Sequence, residues 1–170
     1  RGLSGVRLFI SDDHAGMGAA RRAVFPSVKW QRCQFHMAQN AQSYAPKESM
    51  KKEIGESVRR IFHSCDYMTA LEEKRKCIEK YKMSAPEFVR WVEGCIEEGL
   101  TCFGFPEEHR KKIRTVNGME RLNKEIRRRT RVATLFPNVA SCERLITAVL
   151  QGVHEEWITG RRYLDMSYLK

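Results

Sequence analysis

Apolar and polar positions suggest two strands near the start of the chain, then settle into a helical rhythm that lasts to its end. Val6 to Ser11 (VRLFIS) is short and rich in β-formers. Val28 to Phe35 (VKWQRCQF) alternates apolar with polar residues, as a half-buried strand does. Between them, small residues from Ala15 to Val24 predict a helix, which Phe25-Pro26-Ser27 ends. Strand, helix and strand within about thirty residues make a βαβ unit, so the two strands are predicted to be parallel. After His36 the pattern changes. Met50, Ile54, Val58, Ile61 and Phe62 have helical spacing. Thr69-x-x-Glu72 reads as a capping box opening a helix through Tyr81. Ser84-Ala85-Pro86-Glu87 reads as a second one, followed by Phe88, Val92, Cys95 and Ile96 on one face. Gly99 to Pro106 predicts a turn region. Asn117 begins another helix, Phe136-Pro137-Asn138 breaks it, and a last helix runs from Ser141 to Ile158. Leu145, Val149, Val153 and Trp157 form its stripe.

Two parallel strands cannot bury both faces of a sheet, and an isolated strand pair is marginal. A partner or further sequence is therefore expected to complete it. Arg1-Gly2-Leu3, without a methionine, adds the expectation that this is the C-terminal part of a longer chain. The length of 170 residues suits one domain with a small insertion. Hydrophobic residues at 42% and charged residues at 31% are a globular balance, which argues against disorder. Charge changes the picture more. Lys and Arg number 31 against 21 acids, a net charge of +10 that attracts polyanions, nucleic acid first among them. The six cysteines, Cys33, Cys65, Cys77, Cys95, Cys102 and Cys142, form no C-x-x-C pair and read mostly as buried small residues of a reducing compartment. No apolar run approaches the roughly 18 residues of a membrane span, and the start shows no signal peptide. The expected location is the cytoplasm.

The most informative stretch is Asn117 to Arg131 (NGMERLNKEIRRRTR). Asn117 suits an N-cap and Glu120 falls at the capping-box position. Met119, Leu122 and Ile126 share a stripe, while Glu120, Lys124, Arg127 and Arg131 gather on a second face at about 100° per residue. A carboxylate among cations suits a partner that is both anionic and metal-bound, such as a phosphodiester. A helix cap with a solvated basic face accounts for the same residues. Asp12, directly after the first strand, sits where α/β proteins place chemistry, although Ser11, Asp12 or Asp13 could equally cap the next helix. Together Asp12 and Glu120 could supply hard oxygen ligands to Mg²⁺. No third acid is convincing by position. Cys33-x-x-His36 has the spacing of half a zinc site, with no second half following. Arg127, Arg128, Arg129 and Arg131 could neutralise phosphates, with Arg161 and Arg162 extending the basic surface. Trp30, Trp91 and Trp157 lie in apolar patterns and are expected in the core.

The order of these motifs resembles that of Mutator-type bacterial insertion-sequence transposases. SDDHAG at Ser11 to Gly16, WQRCQFH at Trp30 to His36 and the Asn117 to Arg131 stretch carry the resemblance. FPN at Phe136 and HEEW…GRRYL at His154 to Leu164 extend it over nearly the whole chain. It implies an α/β fold, mostly helical overall: a partial ribonuclease H-like core of two parallel strands and flanking helices, interrupted by an all-helical insertion. The implied division is residues 1–44 for the partial core, 45–112 for the insertion and 113–170 for core helices carrying the last catalytic acid. It implies an Asp-Asp-Glu triad acting with Mg²⁺ or Mn²⁺, in which Asp12 matches the second aspartate and Glu120 the glutamate. The first aspartate has no counterpart here and would lie upstream. Cys33 and His36 match a C-x-x-H signature with a structural or DNA-positioning role. Asp13 stands where many relatives carry glycine. Lys124, Arg127, Arg128, Arg129 and Arg131 would contact DNA. The implied partners are element ends and target DNA, with a homo-oligomer when full length and no membrane, in a bacterial cytoplasm close to the nucleoid.

Two rivals predict different behaviour. A non-catalytic DNA-binding remnant or regulator of transposition would bind DNA without chemistry. A helical protein-interaction domain would show no salt-sensitive DNA affinity.

Overall fold

The computed structural model describes residues 4–133, 135–160 and 163–167. It divides into two compact units, one ending at Val116 and the other beginning at Asn117. The first starts with β1 (Leu8–Ser11), α1 (Ala15–Val24) and β2 (Lys29–Arg32). The strands pair in parallel, Leu8 opposite Lys29 and Ser11 opposite Arg32, as the βαβ pattern requires. Helix α1 buries none of its residues, and Met17 and Val24 stay exposed. The strand pair therefore has no apolar core of its own, and the described residues contain no third strand.

What β2 buries is polar. Gln31 is fully buried, with its Nε2 donating to the Arg32 carbonyl (2.6 Å) and the Gly99 carbonyl (2.8 Å). Its Oε1 accepts from the Cys102 backbone N–H at 2.7 Å. Gln34 Nε2 adds a second donor to the Gly99 carbonyl at 2.7 Å. These bonds satisfy polar atoms that burial would otherwise penalise, and they tie the strand to the 3-10 turns Ile96–Gly99 and Thr101–Gly104.

The apolar core belongs to the helices that follow. They are α2 (Gln34–Ala41), α3 (Lys51–Phe62), α4 (Tyr67–Tyr81) and α5 (Pro86–Cys95), with α6 (Glu107–Ile113) closing the unit. Met37, Ile54, Ile61, Tyr81, Phe88 and Ile96 anchor one cluster running from Met37 to Leu100. Each fully buried side chain of this size contributes about 1.5–3 kcal/mol. Tyr81 meets Phe88 edge-on at 5.2 Å and shares a hydrogen bond with Ser57 at 3.1 Å, so the buried hydroxyl is satisfied. This cluster continues from α2 into α3, across the 44/45 division expected from the family pattern.

Several local expectations are corrected. The second strand ends at Arg32, because Gln34, Met37, Ala38 and Ala41 form a buried helical face. The capping box at Thr69 is not used: α4 begins at Tyr67, and Asp66 caps it by accepting from the Thr69 N–H at 2.7 Å. Ala85, without a side-chain cap, precedes α5, and Pro86 takes the first helical position, where its missing N–H costs nothing. Helix α6 has no forecast in the pattern, yet its His109 and Ile113 are buried one turn apart.

The second unit contains α7 (Asn117–Val132) and α8 (Val139–Thr159), which pack on each other across the connection 133–138. Asn117 is the first residue of α7 rather than the residue before it. Asn138 caps α8, accepting from the Ser141 N–H at 2.9 Å, so the FPN segment both stops one helix and starts the next. Leu122 and Ile126 on α7 and Leu145, Val149 and Val153 on α8 are half-buried. Neither helix has a fully buried residue. Met119 (55% exposed) and Trp157 (68% exposed) lie outside the core expected for them.

Candidate active site and basic helix

Asp12 stands exposed just past the C-terminal end of β1. Its backbone is held from both sides. Ser11 Oγ donates to the Asp12 carbonyl at 2.8 Å, and Trp30 Nε1 donates to Ser11 Oγ at 3.0 Å. The Cys33 N–H donates to the Ser11 carbonyl at 2.8 Å, prolonging the parallel ladder by one bond. None of Ser11, Asp12 and Asp13 caps α1: the residue before the helix is His14, which makes no side-chain capping bond. The capping alternative for this acidic turn is thereby removed.

Asp13 has a different task. Its Oδ2 lies 2.9 Å from Arg32 Nη2, and Arg32 Nη1 reaches Glu98 Oε2 at 2.9 Å. Arg32 is buried, so this planar fork fixes the acidic turn to the end of β2 and to the turn after α5. One of two adjacent aspartates is committed to a structural ion pair, while its neighbour projects outward. The pattern analysis did not single out Arg32, Gln31 or Glu98. Strand alternation puts Arg32 on the face of Val28 and Trp30, and its pairing with Asp13 and Glu98 accommodates the charge there.

Cys33 is fully buried and precedes α2 as its N-cap residue, without a side-chain capping bond. His36, half-buried on α2, packs edge-on against Phe35 at 5.5 Å. Within either unit, the described residues include no group of three His, Cys, Asp or Glu side chains arranged to hold a metal ion. The described cysteines are all unbridged. Cys33, Cys77 and Cys102 are buried, Cys95 and Cys142 half-buried, and Cys65 exposed, against the expectation of mostly buried thiols at that last position. Burial pushes the Cys77 thiol up to about 11 and raises those of Cys95 and Cys102.

In the second unit Glu120 lies in the first turn of α7 and is exposed. The N-terminal end of the helix dipole favours a negative charge there. Glu125 is the hub of the basic segment. Arg128 grips it with both Nε (2.9 Å) and Nη2 (2.8 Å), and Arg129 Nε approaches at 2.8 Å. These two guanidinium groups hold the Glu125 carboxyl down at about 2. Lys124, Arg127 and Arg131 are exposed and outside that cluster. The five expected phosphate ligands thus split into two that share an internal acid and three that face outward. Arg161 and Arg162 lie outside the described residues. Asp12 and Glu120 belong to separate units.

The carboxylates of Asp12 and Glu120 have the hard-oxygen chemistry that Mg²⁺ or Mn²⁺ accepts, and Asp12 is exposed where an ion could reach it.

Comparison with known proteins agrees with the motif order. The model for the Mutator family of transposases matches residues 1–160, and the chain belongs to that family. It is 47% identical over 167 residues to the transposase of insertion sequence element IS406 from Burkholderia multivorans, covering 98% of this chain and 43% of that one. It is 40% identical over 170 residues to the ISRM5 transposase of Rhizobium meliloti, covering 100% of this chain and 42% of the relative. A third relative, the IS256 transposase of transposon Tn4001 from Staphylococcus aureus, is 36% identical over 97% of this chain and 43% of its own length. The chain spans less than half the length of the curated relatives it matches. No helix among the described residues is long and apolar enough to cross a membrane.

Proposed function

We propose that this chain is part of the catalytic domain of an insertion-sequence transposase, acting on DNA through metal-assisted phosphodiester cleavage and strand transfer. The observation that carries the reading is Asp12, exposed at the carboxyl end of β1 on a turn clamped by Arg32. Parallel strands present their chemistry at that end. The partial ribonuclease H-like core comprises β1, α1, β2 and α2, the helices from α3 to α6 form the insertion, and α7 and α8 are core helices that carry the last acid. Asp12 and Glu120 are the two acids of an Asp-Asp-Glu set that this sequence carries. The remaining aspartate comes from sequence that the longer relatives have in addition. A bound Mg²⁺ or Mn²⁺ would activate the attacking hydroxyl and stabilise the leaving oxygen. Arg127 and Arg131, with Lys124, hold DNA phosphates, while Arg128 and Arg129 are oriented by Glu125. Cys33 keeps the start of α2 packed, and His36 positions DNA or the local fold without zinc. A bacterial cytoplasm, and a homo-oligomer in the full-length protein, go with this reading.

The test uses the 170-residue chain and a full-length protein containing it. The shorter chain binds duplex DNA but does not nick it in Mg²⁺. The full-length protein cleaves, and Asp12→Asn or Glu120→Gln reduces cleavage to background while DNA binding persists. Cleavage that survives either substitution overturns the assignment. Nicking by the 170-residue chain that both substitutions abolish would show that the two acids suffice.

A further inference from the structure

The first unit contains a groove that the reading above does not use. It has a volume of about 410 Å³ and lies between the end of α3, the 3-10 turn at Cys102 and Phe103, and α6. His63, Arg110, Lys111 and Arg114 line it, against one acid, Glu107. Some cations elsewhere on this unit sit beside acids: Lys51 beside Glu48, Lys76 beside Glu72 and Glu73, Lys80 beside Glu53, and Arg90 beside Glu87. In the groove three cations face one acid.

The groove is also built. Arg110 donates through Nε to the Phe105 carbonyl at 3.0 Å and through Nη1 to the Cys65 carbonyl at 2.9 Å. Its guanidinium carbon lies 5.4 Å from the Phe103 ring centre. The two walls are thus joined by a cation whose hydrogen bonds go to carbonyls, so its charge is not cancelled. Holding it in place before any partner arrives spares the entropy that a mobile arginine loses on binding. Partial burial lowers the His63 pKa, and the neighbouring Arg114 and Arg59 lower it further. Burial raises the Cys102 thiol, and Arg114 and Arg110 oppose that rise.

We infer that this groove is a second contact for the DNA phosphate backbone, separate from the arginines of α7. It rests on the reading of the chain as a DNA-binding transposase segment. Arg110 and Arg114, the latter capping the C-terminal end of α6, are four residues apart, about 6 Å along the helix axis. That spans one to two charges of a strand that carries one per roughly 3.4 Å. Such a contact reads no sequence, so it positions DNA along the insertion rather than selecting a site.

The test is a salt titration of the 170-residue chain on a mixed-sequence DNA duplex, read by fluorescence anisotropy. Each lost phosphate contact lowers the slope of log affinity against log salt by about 0.9. Lys111→Gln with Arg114→Gln is therefore expected to flatten the slope by about 1.8. Between 50 and 200 mM salt the parent then loses about twelvefold more affinity than the variant. Arg114→Lys with Lys111→Arg keeps the parent slope, which separates lost charge from lost fold. Arg127→Gln with Arg131→Gln lowers the slope independently. An unchanged slope in the Lys111/Arg114 neutral variant, while the α7 variant loses affinity, overturns the groove and leaves the DNA reading intact. No DNA binding by the parent removes both. A loss seen on an RNA duplex but not on DNA overturns the choice of partner.

Discussion

Arg32 Nη2 lies 2.9 Å from Asp13 Oδ2, joining the turn after β1 to the end of the neighbouring strand. The same guanidinium reaches Glu98, so one buried side chain binds three segments. Arg32→Ala would leave two carboxylates without their cation and a hole beneath the turn. Both acids are partly exposed, so the expected loss is about 2 kcal/mol rather than that of a fully buried pair. Urea denaturation checks it. Arg32→Lys should recover part of the stability only, since an ammonium cannot bridge both acids in a fixed plane.

Gly99 is a glycine for lack of space. A Cβ there would come within 2.7 Å of Phe62 Cε1 and 2.9 Å of Met37 Sδ, both in the packed core. Gly99→Ala should cost about 1–3 kcal/mol through overpacking. The cost should shrink when Phe62→Leu is added, a non-additivity that a double-mutant cycle reads.

Asp66, not Thr69, caps α4. Asp66→Ala should lower the thermal midpoint by a few degrees, while Thr69→Ala lowers it less, because the bond to Asp66 uses the Thr69 backbone N–H. That hydrogen bond lowers the Asp66 pKa. Its stabilisation is full above the ordinary carboxylate range and is lost as pH falls through the lowered value. A stability profile below neutral pH should therefore flatten in Asp66→Asn, where the cap remains but does not titrate.

The Glu125 carboxyl should titrate in NMR with a midpoint of about 2, below its ordinary 4.5, because Arg128 and Arg129 hold the charged form. The folded value is the lower one. The contribution is therefore present above 4.5 and disappears as pH falls through about 2. Glu125→Gln removes an anion and releases two guanidinium groups. On the proposed function, DNA affinity should rise and its salt slope steepen in an anisotropy titration.

Alkylation should sort the thiols by exposure. Iodoacetamide at mildly alkaline pH is expected to modify exposed Cys65 first and to spare Cys77, which is buried with its pKa near 11. Mass spectrometry of timed samples checks the order. Early labelling of Cys77 would show that α4 opens readily.

The sheet and the long helices were legible because their signals are local. The parallel pair followed from a strand-helix-strand order, and α1 lies where its small residues predicted, at Ala15–Val24. The start of α2 was not legible, because Val28 to Phe35 fits alternation as well as a helix entry fits its second half. A short apolar run does not distinguish the two periods. Trp157 fits the helical stripe of α8 and is nevertheless 68% exposed. Periodicity says which residues share a face and cannot say whether anything covers that face.

For the candidate site, residue order in the chain determined the family and singled out Asp12 and Glu120, since motifs are properties of sequence. Tertiary structure decided the work of their neighbours. It assigned Asp13 to Arg32 and gathered Arg110, Lys111 and Arg114 beside His63 in a groove, whereas the pairing of Glu125 with Arg128 and Arg129 follows from helical spacing alone. Chain order records which charges exist, but Coulomb energy depends on distance and burial, and these are set only when separate segments pack.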